Sequence, residues 1–365
     1  MHTRSITRAC VLLVACCHAG LAADSTSTAH ARNPLYFPPA GGEWEHVRPA
    51  AVGWNEEKLQ AALTFAGECN SSGVVVLHRG KILAERYWDL NASASGKKDA
   101  AGRSIEHVAS IRKSVIAILM GMARHHGSLR LEETVSKHLG AGWSKAAKEQ
   151  EQLITVRHLL TMTSGLADDM TFEAAAGTRW RYNNAACGQT LLVLAAAEKQ
   201  SISGLTRTWL TSRIGMGDSS WVAPVEPPGG DERLQFWTTA RDLARFGLLM
   251  LADGRWKGED VIADRAYLRA ALQPSQPLNP AYGYLWWRNG QAWFLRGAGD
   301  RTEGPLIPAA PADLFSAHGA QEKKLYVVPS LDLVVTRLGK VPGPAILPTF
   351  PNEFWKRLMA AAPRP

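Results

Sequence analysis

Ser110-Ile111-Arg112-Lys113-Ser114-Val115-Ile116-Ala117-Ile118-Leu119-Met120-Gly121-Met122-Ala123 reads as an apolar helix with a serine and a lysine at its entrance, three residues apart. Positions i and i+3 of a helix share a face. The Ser110 hydroxyl and the Lys113 amine therefore stand side by side at the head of a segment too apolar to be exposed. A lysine held in a partly desolvated place can act as a base toward a neighbouring hydroxyl. The stretch thus predicts a nucleophilic serine opening a buried helix. Spacing by itself is weak evidence, because Ser95-Gly96-Lys97-Lys98 repeats it in a polar loop with no helix to desolvate the lysine.

Outward from this helix, strand signals lie toward both chain ends. Residues 73–78 and 81–88 form one β-hairpin signature around Arg79-Gly80, and 325–329 and 333–337 form another around Ser330-Leu331-Asp332. Residues 282–287 and 291–295 also read as strands. Helical periodicity marks 56–66 (with Asn55 as cap), 154–162, 185–199, 238–251 and 352–361. The economical fold is mixed α/β: one antiparallel sheet built from both chain ends, flanked by helices, with a mainly helical lobe inserted. On this reading the body covers 51–362, with an α/β lobe at 51–109 and 270–362 and a helical lobe at 110–269. Ligand sites favour such boundaries.

The chain has 365 residues, 46% of them apolar, enough for a large core. Residues 1–22 read as an export signal: Arg4 and Arg8, a short apolar run, then Gly20-Leu21-Ala22. Leu13-Val14-Ala15-Cys16 also resembles a lipobox, whose use would anchor the mature chain to a membrane by lipid at Cys16. Either way the expected location is periplasmic or secreted. Residues 23–50 read as an extended arm. Three of the five cysteines lie in the leader, and Cys69 and Cys187 could pair in an oxidising compartment. No Cys-x-x-Cys or His-Glu-x-x-His is present, so neither a metal nor another cofactor is expected. The formal charge of +8 is scattered without a dense basic run, which argues against nucleic acid as a partner. Several of the 13 tryptophans could line a groove.

Two further segments carry chemistry. In Trp180-Arg181-Tyr182-Asn183-Asn184, a tyrosine hydroxyl beside a lysine could relay a proton, and the Asn184 amide could meet a substrate carbonyl. A buried tyrosine followed by a helix-capping asparagine is the plainer reading of the same residues. In Phe315-Ser316-Ala317-His318-Gly319-Ala320-Gln321, the glycine permits close backbone approach and an N–H aimed at an oxyanion.

Taken in order, Ser-x-x-Lys, Tyr-x-Asn and a His-Gly strand resemble the serine hydrolases related to class C β-lactamases, penicillin-binding DD-peptidases and their esterase relatives. The resemblance spans roughly residues 50 to 360. His158-Leu159-Leu160-Thr161-Met162-Thr163-Ser164-Gly165-Leu166, Gly177-Thr178, residues 282–287 and Tyr326-Val327-Val328-Pro329 add to it. It implies a β-lactamase/DD-peptidase-like fold with Ser110 as acylated nucleophile and Lys113 as its proton acceptor or electrostatic helper. It also implies Tyr182 in the relay and in deacylation, Asn184 orienting a small ester, amide or peptide-like substrate, and an oxyanion hole from the N–H groups of Ser110 and a residue near Ala320. Members with β-lactam chemistry usually carry Lys-Thr-Gly or His-Thr-Gly at the third segment. Ala317-His318-Gly319 fits that pattern in two registers, with His318 in the first or the middle place, and argues mildly against penicillins or D-Ala-D-Ala as natural substrates.

Overall fold

Val74-Val75-Val76-Leu77 is an unbroken apolar run rather than an alternation, as expected of a strand covered on both faces. The computed structural model, which describes residues 2, 34–90, 97–223, 233–297 and 299–363, places it in an interior strand of a six-stranded antiparallel sheet. Leu35–Pro365 form one compact unit; of Met1–Pro34, only His2 and Pro34 are described, and neither is in a helix or strand.

The chain opens with α1 (Glu56–Glu68), β1 (Ser71–His78), β2 (Lys81–Tyr87), β3 (Glu106–His107) and α2 (Ile111–His126). Short helices follow, α3 (Val135–Leu139), α4 (Lys148–Glu151) and α5 (Val156–Leu160), then α6 (Asn184–Glu198), α7 (Ile202–Thr206) and α8 (Ser212–Ile214). Next come β4 (Ser220–Val222), β5 (Gln235–Thr238), α9 (Ala240–Leu251), β6 (Arg255–Trp256), β7 (Glu259–Asp260) and α10 (Arg265–Ala271). The chain closes with β8 (Trp287–Arg288), β9 (Trp293–Arg296), β10 (Asp300–Glu303), β11 (Phe315–Gly319), β12 (Lys323–Val328), β13 (Leu333–Gly339) and α11 (Phe350–Ala361).

The main sheet has the order β2-β1-β13-β12-β11-β8, so strands from the two chain ends meet at β1 and β13, with Val75 opposite Thr336. Alternate residues of β1 serve two cores. Val75 and Leu77 pack with α2 and α9, while Val74 and Val76 pack with α1 and α11. That alternation is the two-residue period of a strand made visible by burial on both sides. The β1–β2 turn uses Arg79 and Gly80, both at positive φ (51° and 82°) as a tight hairpin requires. Residues 35–48 run along this hairpin: the Tyr36 N–H donates to Arg79 O and the Val47 N–H to Ile82 O.

Local signals set the helix ends. Asn55 caps α1 by accepting from the Lys58 N–H, Thr239 caps α9, and Gly127 closes α2 at φ 79°. The helix expected over 154–162 is shorter because Thr155 and His158 form a reciprocal cap at its start. Residues 282–287 are not a strand. Only Trp287 enters the sheet, because Leu285 takes φ 60° and Gly283 presses against Ala271 O, where a Cβ would stand 2.1 Å away. The strand expected at 291–295 forms at Trp293–Arg296 and pairs with β10 outside the main sheet. Cys69 and Cys187 are free thiols buried in opposite cores, so they do not pair.

Candidate active site

Ser110 is the residue before α2, and its side chain makes no cap hydrogen bond. The hydroxyl instead accepts from Lys113 Nζ at 2.7 Å, one helical turn on. Ala109, just before it, sits at φ 50°, a left-handed conformation that costs a residue with a Cβ roughly 1–2 kcal/mol. Strained backbone of this kind concentrates at functional sites, where surrounding structure enforces it.

Lys113 is 3% exposed. Its Nζ also donates to Asn184 Oδ1 at 2.9 Å and lies 4.9 Å from the centre of the Tyr182 ring. Among the described residues no carboxylate pairs with it; two oxygens and an aromatic face surround it. The two asparagines divide their work. Asn183 is the cap, accepting from the Ala186 N–H and donating to Leu166 O and Ala167 O, whereas Asn184 faces the lysine. The helix-capping reading therefore belongs to Asn183. Tyr182 meets Lys113 through its ring, and its hydroxyl has no hydrogen-bond partner among the described residues.

β11 brings the third segment to the same place. Ser110, Tyr182, Trp287, Gly297, His318, Gly319 and Ala320 line one cleft of about 290 Å³. A Cβ on Gly319 would stand 2.4 Å from Val108 O, so only glycine lets β11 approach the backbone leading into Ser110. Gly319 is therefore the required glycine of the segment, Ala320 is exposed, and His318 takes the middle place. Ala317, fully buried, occupies the place where β-lactam-processing members carry a cation. Among the described residues the N–H groups of Ser110 and Ala320 meet no acceptor, which leaves both available to an oxyanion.

His318 shares a hydrogen bond of 2.9 Å with Ser316 through Nε2. Burial, reinforced by nearby Lys324 and Arg296, holds its imidazole well below the usual histidine range, so the ring is neutral at pH 7. Trp287 stacks between His318 and Tyr182, with ring centres 5.6 Å and 6.3 Å away and planes tilted by 23° and 19°. Trp180 and Tyr282 meet these rings edge-on. Beyond His318 a second cavity of about 530 Å³ opens, with the Lys324–Glu322 ion pair in its wall.

Sequence reasoning did not assign Trp287 or Gly297 to the site. The abundance of tryptophan and the part of 282–287 in the resemblance hinted at the former, and nothing signalled the latter, which lies between β9 and β10. The adjacent carboxylates Asp168 and Asp169 and the His126 ring do not line the cleft. Asp168 pairs with Arg181, Asp169 accepts from Thr171, and His126 packs edge-on against Trp209. Apart from His2, the leader with its Cys16 segment lies outside the described residues, as does Ser95-Gly96.

The chain is 23% identical over 295 residues to an uncharacterized protein of Alkalihalophilus pseudofirmus, covering 74% of this chain and 84% of that protein. Its fold is similar to a Bacillus anthracis protein whose proposed assignment is 6-aminohexanoate-dimer hydrolase (TM-score 0.65, 16% identity, covering 89% and 90% of the two chains). It is also similar to the D-alanine carboxypeptidase AmpC of Burkholderia cenocepacia (TM-score 0.63, 18% identity, 84% and 100%) and to a class C beta-lactamase (TM-score 0.61, 17% identity, 85% and 96%). Residues 57–345 match the Beta-lactamase family, well over half of the chain, and the chain belongs to that family of serine hydrolases.

Proposed function

We propose that this protein hydrolyses a neutral ester or amide through an acyl-enzyme at Ser110. The observation that carries the reading is the 2.7 Å contact between Lys113 Nζ and Ser110 Oγ, inside a cleft that also holds Tyr182 and two unpaired amides. Ser110 Oγ attacks the carbonyl carbon as its proton passes to Lys113 acting as a free amine, with Tyr182 completing the pair. The N–H groups of Ser110 and Ala320 take the developing oxyanion. The carbon–oxygen or carbon–nitrogen bond then breaks, and the leaving group departs with a proton returned by the same pair. Water, deprotonated by that pair, attacks the acyl-enzyme and releases the acid. Asn184 holds Lys113 in place and offers its amide to the substrate.

Ala317 and the wall of Tyr182, Trp287 and neutral His318 support a substrate without a carboxylate beside the scissile bond. One observation favours a second reading, a cell-wall DD-peptidase or β-lactamase: Lys324 and Arg296 are the cations that a substrate carboxylate would meet near His318. A relative that only binds peptidoglycan would not need Ser110, Lys113 and Tyr182 together.

The test is hydrolysis of p-nitrophenyl butyrate with intact-mass detection of a butyryl adduct. Ser110→Ala should abolish both, and a variant retaining the wild-type rate would overturn the assignment. Strong covalent labelling by a fluorescent penicillin would move the reading to the cell-wall alternative. The leader reading adds export. N-terminal sequencing of the mature protein checks it, with Ala23 expected for signal cleavage and Cys16 for lipid anchoring.

A further inference from the structure

Beneath the cleft, buried charges join the backbone before Ser110 to the backbone after Ala320. Lys323 opens β12 directly opposite Gly319 and is 6% exposed. Its ammonium donates to His107 O at 2.7 Å and pairs with Glu106 at 3.1 Å. Glu106, equally buried, accepts in turn from the Ser72 hydroxyl. Arg337 on β13 is 1% exposed and donates to Gln321 O at 2.6 Å, to Ser71 Oγ at 2.9 Å and to the carbonyls of Cys69 and Lys340 at 2.8 Å. One cation thus grips a carbonyl three residues before Ser110. The other grips the carbonyl of the residue following Ala320.

Both gripped segments are strained. Ala109 lies at φ 50°, Gln321 at 63° and Glu322 at 59°. Such conformations persist only where surrounding contacts over-determine them. Simple stability does not account for the charges, because replacing a buried ion pair by apolar residues of similar volume is often neutral or stabilising. What the network does secure is the separation of two backbones already in contact at Val108 O and Gly319. None of the three charged residues lines the cleft with Ser110, so they act through carbonyls rather than on substrate.

We propose that Lys323, Glu106 and Arg337 are positioning residues that hold the Ser110 and Ala320 amides at the spacing an oxyanion requires. The proposal rests on the Ser110 acyl-enzyme reading. It assigns the network to the transition state: removing it should slow turnover while leaving substrate affinity nearly intact.

The test compares Glu106→Gln/Lys323→Met, which removes both charges of the pair at nearly constant volume, with the wild type. Thermal melting, kcat and KM for p-nitrophenyl butyrate, and the affinity for a trifluoromethyl ketone, whose hemiketal oxyanion needs the hole, are measured together. The expected result is a folded variant with kcat down roughly 30- to 100-fold, KM within about threefold, and ketone affinity weakened in parallel with kcat. If the double variant fails to fold, Lys323→Gln is read by the same criteria. A folded variant with wild-type kcat and ketone affinity overturns the proposal, and so does one in which KM alone moves. Ser110→Ala in the same assay separates the two ideas, since activity persisting there refutes the nucleophile and not the network specifically.

Discussion

Gly319→Ala offers the sharpest quantitative test of how the cleft is built. The added Cβ would stand 2.4 Å from Val108 O and 3.3 Å from both Ile111 Cγ1 and Lys323 Cβ. A carbon–oxygen contact relaxes at roughly 3.3 Å, so the two backbones must part by about 0.9 Å. Val108 O is not free to yield, because it accepts the Ile111 N–H that starts the nucleophile helix. The displacement therefore falls between the Ser110 and Ala320 amides. A misplacement near 1 Å costs on the order of 100-fold in rate, and overpacking a buried site costs about 1–3 kcal/mol. Gly319→Ala should remain folded with a lowered melting temperature by circular dichroism. With p-nitrophenyl butyrate it should lose about 100-fold in kcat at little change in KM, since the loss is confined to the transition state. A folded Gly319→Ala variant turning over at the wild-type rate would show that the close approach of β11 to Val108 does not set the oxyanion geometry.

Two further predictions concern the scaffold. Burial raises the Asp242 carboxyl from its ordinary 3.8 to about 6, although Ser219 and the Asp218 N–H donate to it. The folded chain then holds this proton more tightly than the unfolded chain. Its contribution to stability is fully present below about pH 4 and is lost as pH rises through 6, a change of about 3 kcal/mol. Asp242→Asn removes that dependence, so urea midpoints should show the variant gaining stability on wild type between pH 4 and 7, and parallel curves would refute the assignment. Arg245 is buried, donates to Ile214 O and Pro39 O, and lies 4.8 Å from the Trp44 ring, which ties the arm to α9. Arg245→Ala should cost roughly 2–4 kcal/mol and hasten chymotryptic cleavage after Tyr36 and Trp44 without changing kcat; an unchanged cleavage pattern would count against the tie.

Legibility followed the range of each interaction. The pairing of Ser110 with Lys113 needs only one helical turn, and the caps at Asn55, Thr239 and Gly127 depend on residues within three or four positions. The Arg79-Gly80 hairpin is equally local. The hairpin signals at 73–88 and 325–337, near opposite chain ends, announced one antiparallel sheet built from both ends. Residues 282–287 misled for the converse reason. Their aromatic content suits a strand, but tertiary hydrogen bonds from Tyr284 N–H to Ala271 O and Leu285 N–H to Leu160 O bend them into an irregular segment.

By itself, then, the sequence determined the side-by-side placing of Ser110 and Lys113, the antiparallel sheet shared by the chain ends and the order of the three motif segments. All of these rest on periodicity and short spacing. Only the tertiary structure decided that Asn184 rather than Asn183 meets Lys113, that His318 takes the middle place of its motif, and that Cys69 and Cys187 sit in separate cores. It alone placed Trp287 between Tyr182 and His318, and the Lys323 ammonium on a carbonyl 216 residues away in the chain. Such contacts join residues whose separation along the chain carries no geometric information. They exist because two cores pack on opposite faces of one sheet and bring its distant strands to the mouth of the same buried helix.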